Sequence, residues 1–436
     1  MRIAVDAMGG DFAPDQVVLG AAQAAVEYGI DISLVGLPSV VQPLLDSHPR
    51  LQLVPCTQVI GMEEHPAQAV RAKLDSSMSV CARMCREHRA DGWISAGNSG
   101  AIMAAALLFS GEAAAVEASI GWLLDPATLV RQSIANALED AARKGMLTPT
   151  SLRRMITMRN WLPEDSRAAL DAAVATARRK GVSPAQWDDV EVRQLVTTGV
   201  DGSGAIGVLA HCRNKRKNVL GSLVLKHGFG VRDAWAQDQI KQKEIDGAFA
   251  EASLMDQFTI SPDFIRRAVG HFLALGHQTG LMPPFGLVRF LEAVGVSSVQ
   301  PELISASSLL DTIQEGCAIG ADAFEDLLAE GYNLGDHYFL MESWFEAGDI
   351  VHEVLKGNRD APAKREARIM EKVLQPRREW WTQAAAWMAY ILYQSGNDER
   401  WQDFYAATLA MVQGRPLDQI ALMKKVAEQT IMASEG

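Results

Sequence analysis

Met1-Arg2-Ile3-Ala4-Val5-Asp6-Ala7-Met8-Gly9-Gly10-Asp11 opens the chain and decides how its first quarter is read. Arg2 to Val5 is an apolar run of strand length, and helical spacing follows from Pro14 to Tyr28. Between them Gly9 and Gly10 allow positive φ and close approach of backbone N–H groups. A glycine turn from strand to helix gathers amides at the positive end of a helix, which suits phosphate or a developing oxyanion. The same glycines also serve a plain tight turn. Asp6 and Asp11 argue against a simple phosphate cradle, and orient neighbouring donors or accept from a protonated group.

Outward from this stretch the pattern repeats. Ile32 to Val35, Leu51 to Pro55 and Gly92 to Ser95 read as strands, and Val40 to Asp46, Pro66 to His88 and Gly100 to Phe109 as helices. Strands alternating with helices predict an α/β class, a partial doubly wound parallel sheet built from βαβ units, with ligands at the loops that follow the strands. After Gly111 the texture changes: Ala-rich helical spacing takes over, strands nearly vanish, and nine of the ten tryptophans fall there. The expected organisation is an α/β segment over 1–110, a linker over 111–125, a helical region over 126–260 with a β-hairpin near 205–225, and a mainly α-helical region over 261–436.

The 436 residues carry 48% apolar and 22% charged residues, so a folded chain of two or three domains is expected. A net charge of −12 speaks against nucleic acid as a partner. The five cysteines, Cys56, Cys81, Cys85, Cys212 and Cys317, show no CxxC pair. Cys81 and Cys85, four apart on a helix, read as structural thiols. His211, His271 and His277 are too dispersed for a metal, and no metal or organic cofactor is expected. The start lacks the layout of a signal peptide and no apolar run is long enough to cross a bilayer, so a cytoplasmic protein is expected.

Two further stretches carry chemistry. Ser95-Ala96-Gly97-Asn98-Ser99-Gly100 repeats the strand-to-helix glycine loop; Asn98 offers a donor to an oxyanion and Ser99 one to phosphate, although N-capping explains the same residues. Gly61-Met62-Glu63-Glu64-His65-Pro66 leads to Arg71, Lys73, Asp75, Ser76 and Ser77, where either cation can neutralise phosphate or simply sit on a solvated helix face. Asn98, Ser99 and Lys73 are the expected catalytic groups, with Gly9, Gly10, Asp11, Arg71, Ser76, Ser77, Gly97 and Gly100 around the substrate phosphate.

The opening eleven residues with Ala13-Pro14, the block Val59-Ile60-Gly61-Met62-Glu63-Glu64 with Pro66, Arg71, Lys73 and Ser76-Ser77-Met78, and Ser95-Ala96-Gly97-Asn98-Ser99-Gly100-Ala101 together resemble the bacterial phosphate acyltransferase of phospholipid synthesis, with Ser99 where that family commonly has Thr. The resemblance covers residues 1–109. It implies transfer of a fatty acyl group from acyl carrier protein to inorganic phosphate, giving acyl phosphate for a membrane-bound glycerol-phosphate acyltransferase. It implies no cofactor, leaves a homodimer open, and allows peripheral contact with the inner membrane surface.

After Phe109 the resemblance ends, and Leu129 to Gly436 reads as a helical region. Pro163 and the acids Glu164 and Asp165 start a helix that Lys180-Gly181 closes, and Arg378 to Tyr393 is a Trp-rich helix expected to be buried on more than one face. Asn214 to Asn218 reads as a five-residue basic hairpin turn. Gly199 to Gly204 precedes a strand and reads as a loop. Lys215, Arg216 and Lys217 with Lys226, His227 and Arg232 form a candidate basic surface, and Glu342 with Glu346 reads as a solvated face. The alternative function is thus a fusion whose helical interaction domain carries the role.

Overall fold

The computed structural model describes residues 1–45, 49–110, 113–316, 321–356, 361–396 and 398–435. Gly111, at the expected boundary, Asp46, at the end of an expected helix, and Cys317 lie outside the described residues. The chain divides into two units, Met1–Gln186 and Trp187–Gly436.

The first unit opens with β1 (Arg2–Asp6), α1 (Asp15–Glu27), β2 (Asp31–Gly36), α2 (Pro38–Val41), β3 (Leu51–Pro55), α3 (Pro66–Ala72), α4 (Ser77–Arg86), β4 (Gly92–Ile94) and α5 (Ser99–Ser110). The strands form a parallel sheet in the order β3-β2-β1-β4. Val5 sits in register with Leu34 on one side and Ile94 on the other. Both faces are covered, as the continuous apolar runs require. Val18, Ala21 and Ala25 of α1 pack with Leu34 on one face, and Val80, Cys81 and Met84 of α4 pack with Ala4 and Val35 on the other. The α/β class follows directly.

The segment Pro66 to His88 is two helices where the spacing predicts one. Lys73 leaves helical φ/ψ, Leu74 is exposed, and Ser76 caps the second helix by accepting from the Ser79 N–H. Among the described residues the unit continues with α6 (Ala113–Ser119), α7 (Thr128–Arg143), α8 (Pro149–Met158) and α9 (Glu164–Arg179). The acids Glu164 and Asp165 lie in the first turn of α9 and Arg178 and Arg179 in its last, as the macrodipole favours.

Strands do not vanish from the second unit. It carries β5 (Val190–Thr197), β6 (Ala205–Asn214), β7 (Lys217–Lys226), β8 (Gly230–Asp238), α10 (Gln242–Ala252) and β9 (Phe258–Thr259), the strands pairing antiparallel in the order β8-β7-β6-β5-β9. The hairpin turn has two residues, not five: Asn214 pairs with Lys217, and Lys215 takes φ 56°. Beyond it lie α11 (Pro262–Thr279), α12 (Gly286–Ala293), α13 (Ala306–Gly316), α14 (Ala321–Glu330), α15 (Asp349–Leu355), α16 (Pro362–Ile369), α17 (Arg378–Ser395), α18 (Trp401–Val412) and α19 (Ala421–Glu435). Trp381, Trp387, Tyr390 and Ile391 of α17 are all buried. Among the described residues no helix is long and apolar enough to cross a membrane.

Candidate active site at the carboxyl ends of β1 and β4

β2 and β3 lie on one side of β1, and β4 lies on the other. The connection after β1 leads to β2, away from β4, and the crevice between the carboxyl ends of β1 and β4 is where doubly wound sheets bind ligands. Both glycine loops of the sequence sit there. They touch: a Cβ built on Gly97 would lie 3.3 Å from Gly9 Cα, and one on Gly9 would lie 2.9 Å from Gly97 N. These glycines are thus set by close approach of two loops. Gly10 alone among them takes a positive φ, 107°.

Asp6, 2% exposed, organises the junction. Its carboxylate accepts from Met8 N at 3.1 Å and from Ser95 Oγ at 2.7 Å, and Ser95 Oγ in turn accepts from Gly97 N at 3.1 Å. One buried carboxylate so fixes both loops, the orienting role that the sequence leaves between Asp6 and Asp11. Asp11 is exposed at the loop tip and its side chain makes no hydrogen bond with a described residue.

Asn98 caps α5 through Oδ1, which accepts from Ala101 N at 3.1 Å. Its amide nitrogen donates to the carbonyls of Glu64 at 3.0 Å, Met62 at 3.1 Å and Gly61 at 3.4 Å. Asn98 therefore ties the 61–64 loop to the helix start and spends its donors on the protein. Asn98→Ala is expected to lower stability by about 2 kcal/mol, one cap plus carbonyls left without a donor, in thermal unfolding of the full chain.

The two cations are also committed. Lys73 Nζ donates to Val59 O at 2.8 Å and pairs with Glu64 Oε1 at 2.6 Å. Gly61 N and this ammonium hold the Glu64 carboxyl below its ordinary range. Arg71 binds Asp140 Oδ2 through Nε at 2.6 Å and Asn136 O at 3.2 Å, both on α7. Ser76 and Ser77 are buried at the start of α4, away from solvent. Ser99 is different: it is exposed at the first position of α5. Its N–H and that of Gly100 belong to the four that a helix leaves unsatisfied, and neither has a partner among the described residues. Gly100 is held close to Pro66, whose Cγ lies 2.7 Å from a built Cβ.

What the sites of the structure bring together is thus Gly9, Gly10, Gly97, Ser99 and Gly100, with Asp6 and Ser95 beneath them. Sequence reasoning missed Ser95 as the partner of Asp6, and Glu64 and Asp140 as the partners of the cations. The thiols take no part. Burial pushes Cys81 well up and raises Cys56 to about 11, so both are inert core groups.

The residues that build this crevice match a known family model, described as fatty acid synthesis protein, over residues 1–131. The phosphate acyltransferase of Heliobacterium modesticaldum is 46% identical over 122 residues, 27% of this chain and 36% of that protein. That of Desulfitobacterium hafniense is 48% identical over 111 residues, 25% of this chain and 33% of that protein. The first 131 residues resemble phosphate acyltransferase. The rest resembles another protein: y4lR of Sinorhizobium fredii is 27% identical over 330 residues, 72% of this chain and 62% of that one. Models for the Y4lR second domain and C-terminal helical domain match residues 99–181 and 307–435. The chain thus spans about a third of each acyltransferase relative and under two thirds of the y4lR protein.

Downstream, no cluster of three metal-ligating side chains occurs among the described residues. Of the expected basic surface, Lys215, Arg216 and Lys217 are exposed at the hairpin turn. His227 is largely buried in an aromatic cluster, while Lys226 and Arg232 lie over the Phe229 ring at 5.5 and 5.4 Å. Glu346 is no solvated face either: its side chain is 11% exposed, pairs with Arg377 Nε at 2.8 Å and accepts from Trp381 Nε1 at 3.0 Å.

Proposed function

We propose that the first unit transfers a fatty acyl group from acyl carrier protein to inorganic phosphate. The observation that carries this reading is the meeting of the two glycine loops at the switch point of the sheet, beside the free first-turn amides of α5. An oxygen of hydrogen phosphate attacks the thioester carbonyl, the carbon–oxygen bond forms, the carbon–sulfur bond breaks, and the carrier leaves as a thiol with the proton that the hydrogen phosphate gives up. Because phosphate is itself the nucleophile, the protein need only position it and stabilise the charge that develops. With Arg71 and Lys73 engaged elsewhere, that stabilisation falls to the Ser99 and Gly100 amides, the Ser99 hydroxyl and the positive end of α5. The product is an acyl phosphate for a membrane-bound acyltransferase, which fits a cytoplasmic chain with peripheral contact at the inner membrane surface.

The test is acyl-phosphate formation by the full chain from acyl carrier protein thioester and inorganic phosphate. The expected result is turnover, with kcat/KM falling about tenfold in Ser99→Ala, the loss of one such hydrogen bond. No turnover from a folded sample would reject the reading. The engaged state of Lys73, Arg71 and Asn98 favours a second one, in which the segment is a structural relic and the second unit carries the function as an interaction domain.

A further inference from the structure

The second unit contains a cavity of about 1060 Å³ walled by α11, the start of α13, the approach to α17 and the end of α18. Its size lies at the upper limit of small-molecule sites, about 1,000 Å³. Three features of the wall point to an occupant.

His271 is 3% exposed and its Nδ1 accepts from Ile304 N at 2.9 Å. The neutral ring therefore carries its proton on Nε2, and that N–H has no partner among the described residues. His227, on the same wall with its ring 6.0 Å from that of His271, likewise has an unpartnered Nε2. A buried polar group left unsatisfied costs about 1–3 kcal/mol, so two side by side are unusual in a wall with nothing to face.

Arg377 and Arg378 enter the cavity from an irregular approach: a π-helical turn over Met370–Leu374 and a 3-10 turn over Gln375–Arg377 precede α17. π-turns inside helices concentrate at functional sites. Arg377 is answered by Glu346 and lies over the Trp380 ring at 4.6 Å. Arg378 is half-buried, donates one nitrogen to the carbonyls of Met411 and Arg415 at 2.9 and 2.7 Å, and pairs with no described carboxylate. Glu379, also on the wall, is exposed to solvent. Leu275, Leu303, Met411 and Val412 give an apolar stretch beside Trp380, with polar residues such as Gln278, Ser305 and Gln375 elsewhere on the wall.

We infer that this cavity binds an amphipathic organic anion, a phosphate or carboxylate head on an apolar body. The head meets Arg378, beside the rings of His271 and His227, and the body lies along Trp380, Leu275, Leu303 and Met411. The inference uses the second unit alone and stands or falls apart from acyl transfer in the first.

Calorimetric titration of the full chain with dodecyl phosphate, dodecanoate, dodecyl maltoside and inorganic phosphate tests it, each amphiphile below its micellar range. One equivalent of dodecyl phosphate or dodecanoate is expected to bind, the better of the two identifying the head. The neutral maltoside and inorganic phosphate should bind at least tenfold more weakly, since each lacks one half of the ligand. Arg378→Gln and Trp380→Leu are each expected to weaken the anion about tenfold with unchanged near-ultraviolet circular dichroism; if one fails to fold, the other decides. Equal affinity for the neutral amphiphile, no saturable binding of either anion, or anion binding untouched by the folded variants would overturn the inference.

Discussion

Gly9→Ala is expected to unfold the first unit in conditions where the wild type is stable, at a cost of about 3 kcal/mol or more. The added Cβ would lie 2.7 Å from Asp6 Oδ2, 2.7 Å from Ser95 Oγ and 2.9 Å from Gly97 N. None of the three can yield cheaply. The two side-chain atoms are the partners of the buried bond that joins β1 to β4, and the third is backbone of the facing loop. Moving any of them leaves a buried carboxylate or hydroxyl without its donor or acceptor. Gly20→Ala on α1 supplies the contrast, because nothing lies within 4 Å of its Cβ. There the same change should stabilise by roughly 0.5–1 kcal/mol through helix propensity. Urea unfolding followed by circular dichroism checks both; equal effects at the two positions would show that the loops are not in contact.

The contrast also explains what the sequence could and could not disclose. β1 to β4 are legible because short runs rich in apolar and β-branched residues, such as Ile32 to Val35 and Leu51 to Pro55, alternate with helical spacing. Of the antiparallel sheet the hairpin near 205–225 was legible, while β5 and β8 escaped because each carries a bulge, at Arg193 and at Arg232, that breaks its alternation. Val190-Glu191-Val192 alternates only until Arg193-Gln194, and Arg232-Asp233 sets two polar residues side by side. The break between α3 and α4 was hidden by Leu74, which continues the helical spacing yet ends up exposed. The positions of the glycine loops could be read, since they follow strands, but the fate of the cations could not. Arg71 is held by Asp140, 69 residues away, and no local pattern announces such a partner. The same holds for Asp6 with Ser95, separated by 89 residues.

A second pair of distant residues sets the acid response of the other unit. Burial lowers His227 to about 4 and His271 to about 3, the latter also through the charge of His227. Both rings are therefore neutral in the folded chain wherever a free histidine, titrating near 6.5, begins to charge. Below that value the unfolded state binds more protons than the folded one, so stability is complete above pH 6.5 and falls as the pH drops toward 4. Asp403 acts with the opposite sign, because burial raises it to about 6 and the folded state then holds its proton between about pH 6 and the ordinary aspartate value. The two contributions overlap in total stability, and a single substitution separates them. His227→Phe keeps an aromatic ring of similar size at a position whose side chain makes no hydrogen bond with a described residue, and removes only the titration. Relative to this variant, the wild type should lose on the order of 3 kcal/mol between pH 6.5 and pH 4, as measured by urea midpoints across that range. Removing His227 also relieves His271, which adds to the difference in the same direction. A constant gap between the two proteins over the whole range would mean that the ring is hydrated in solution, and that the cavity wall is not closed around it.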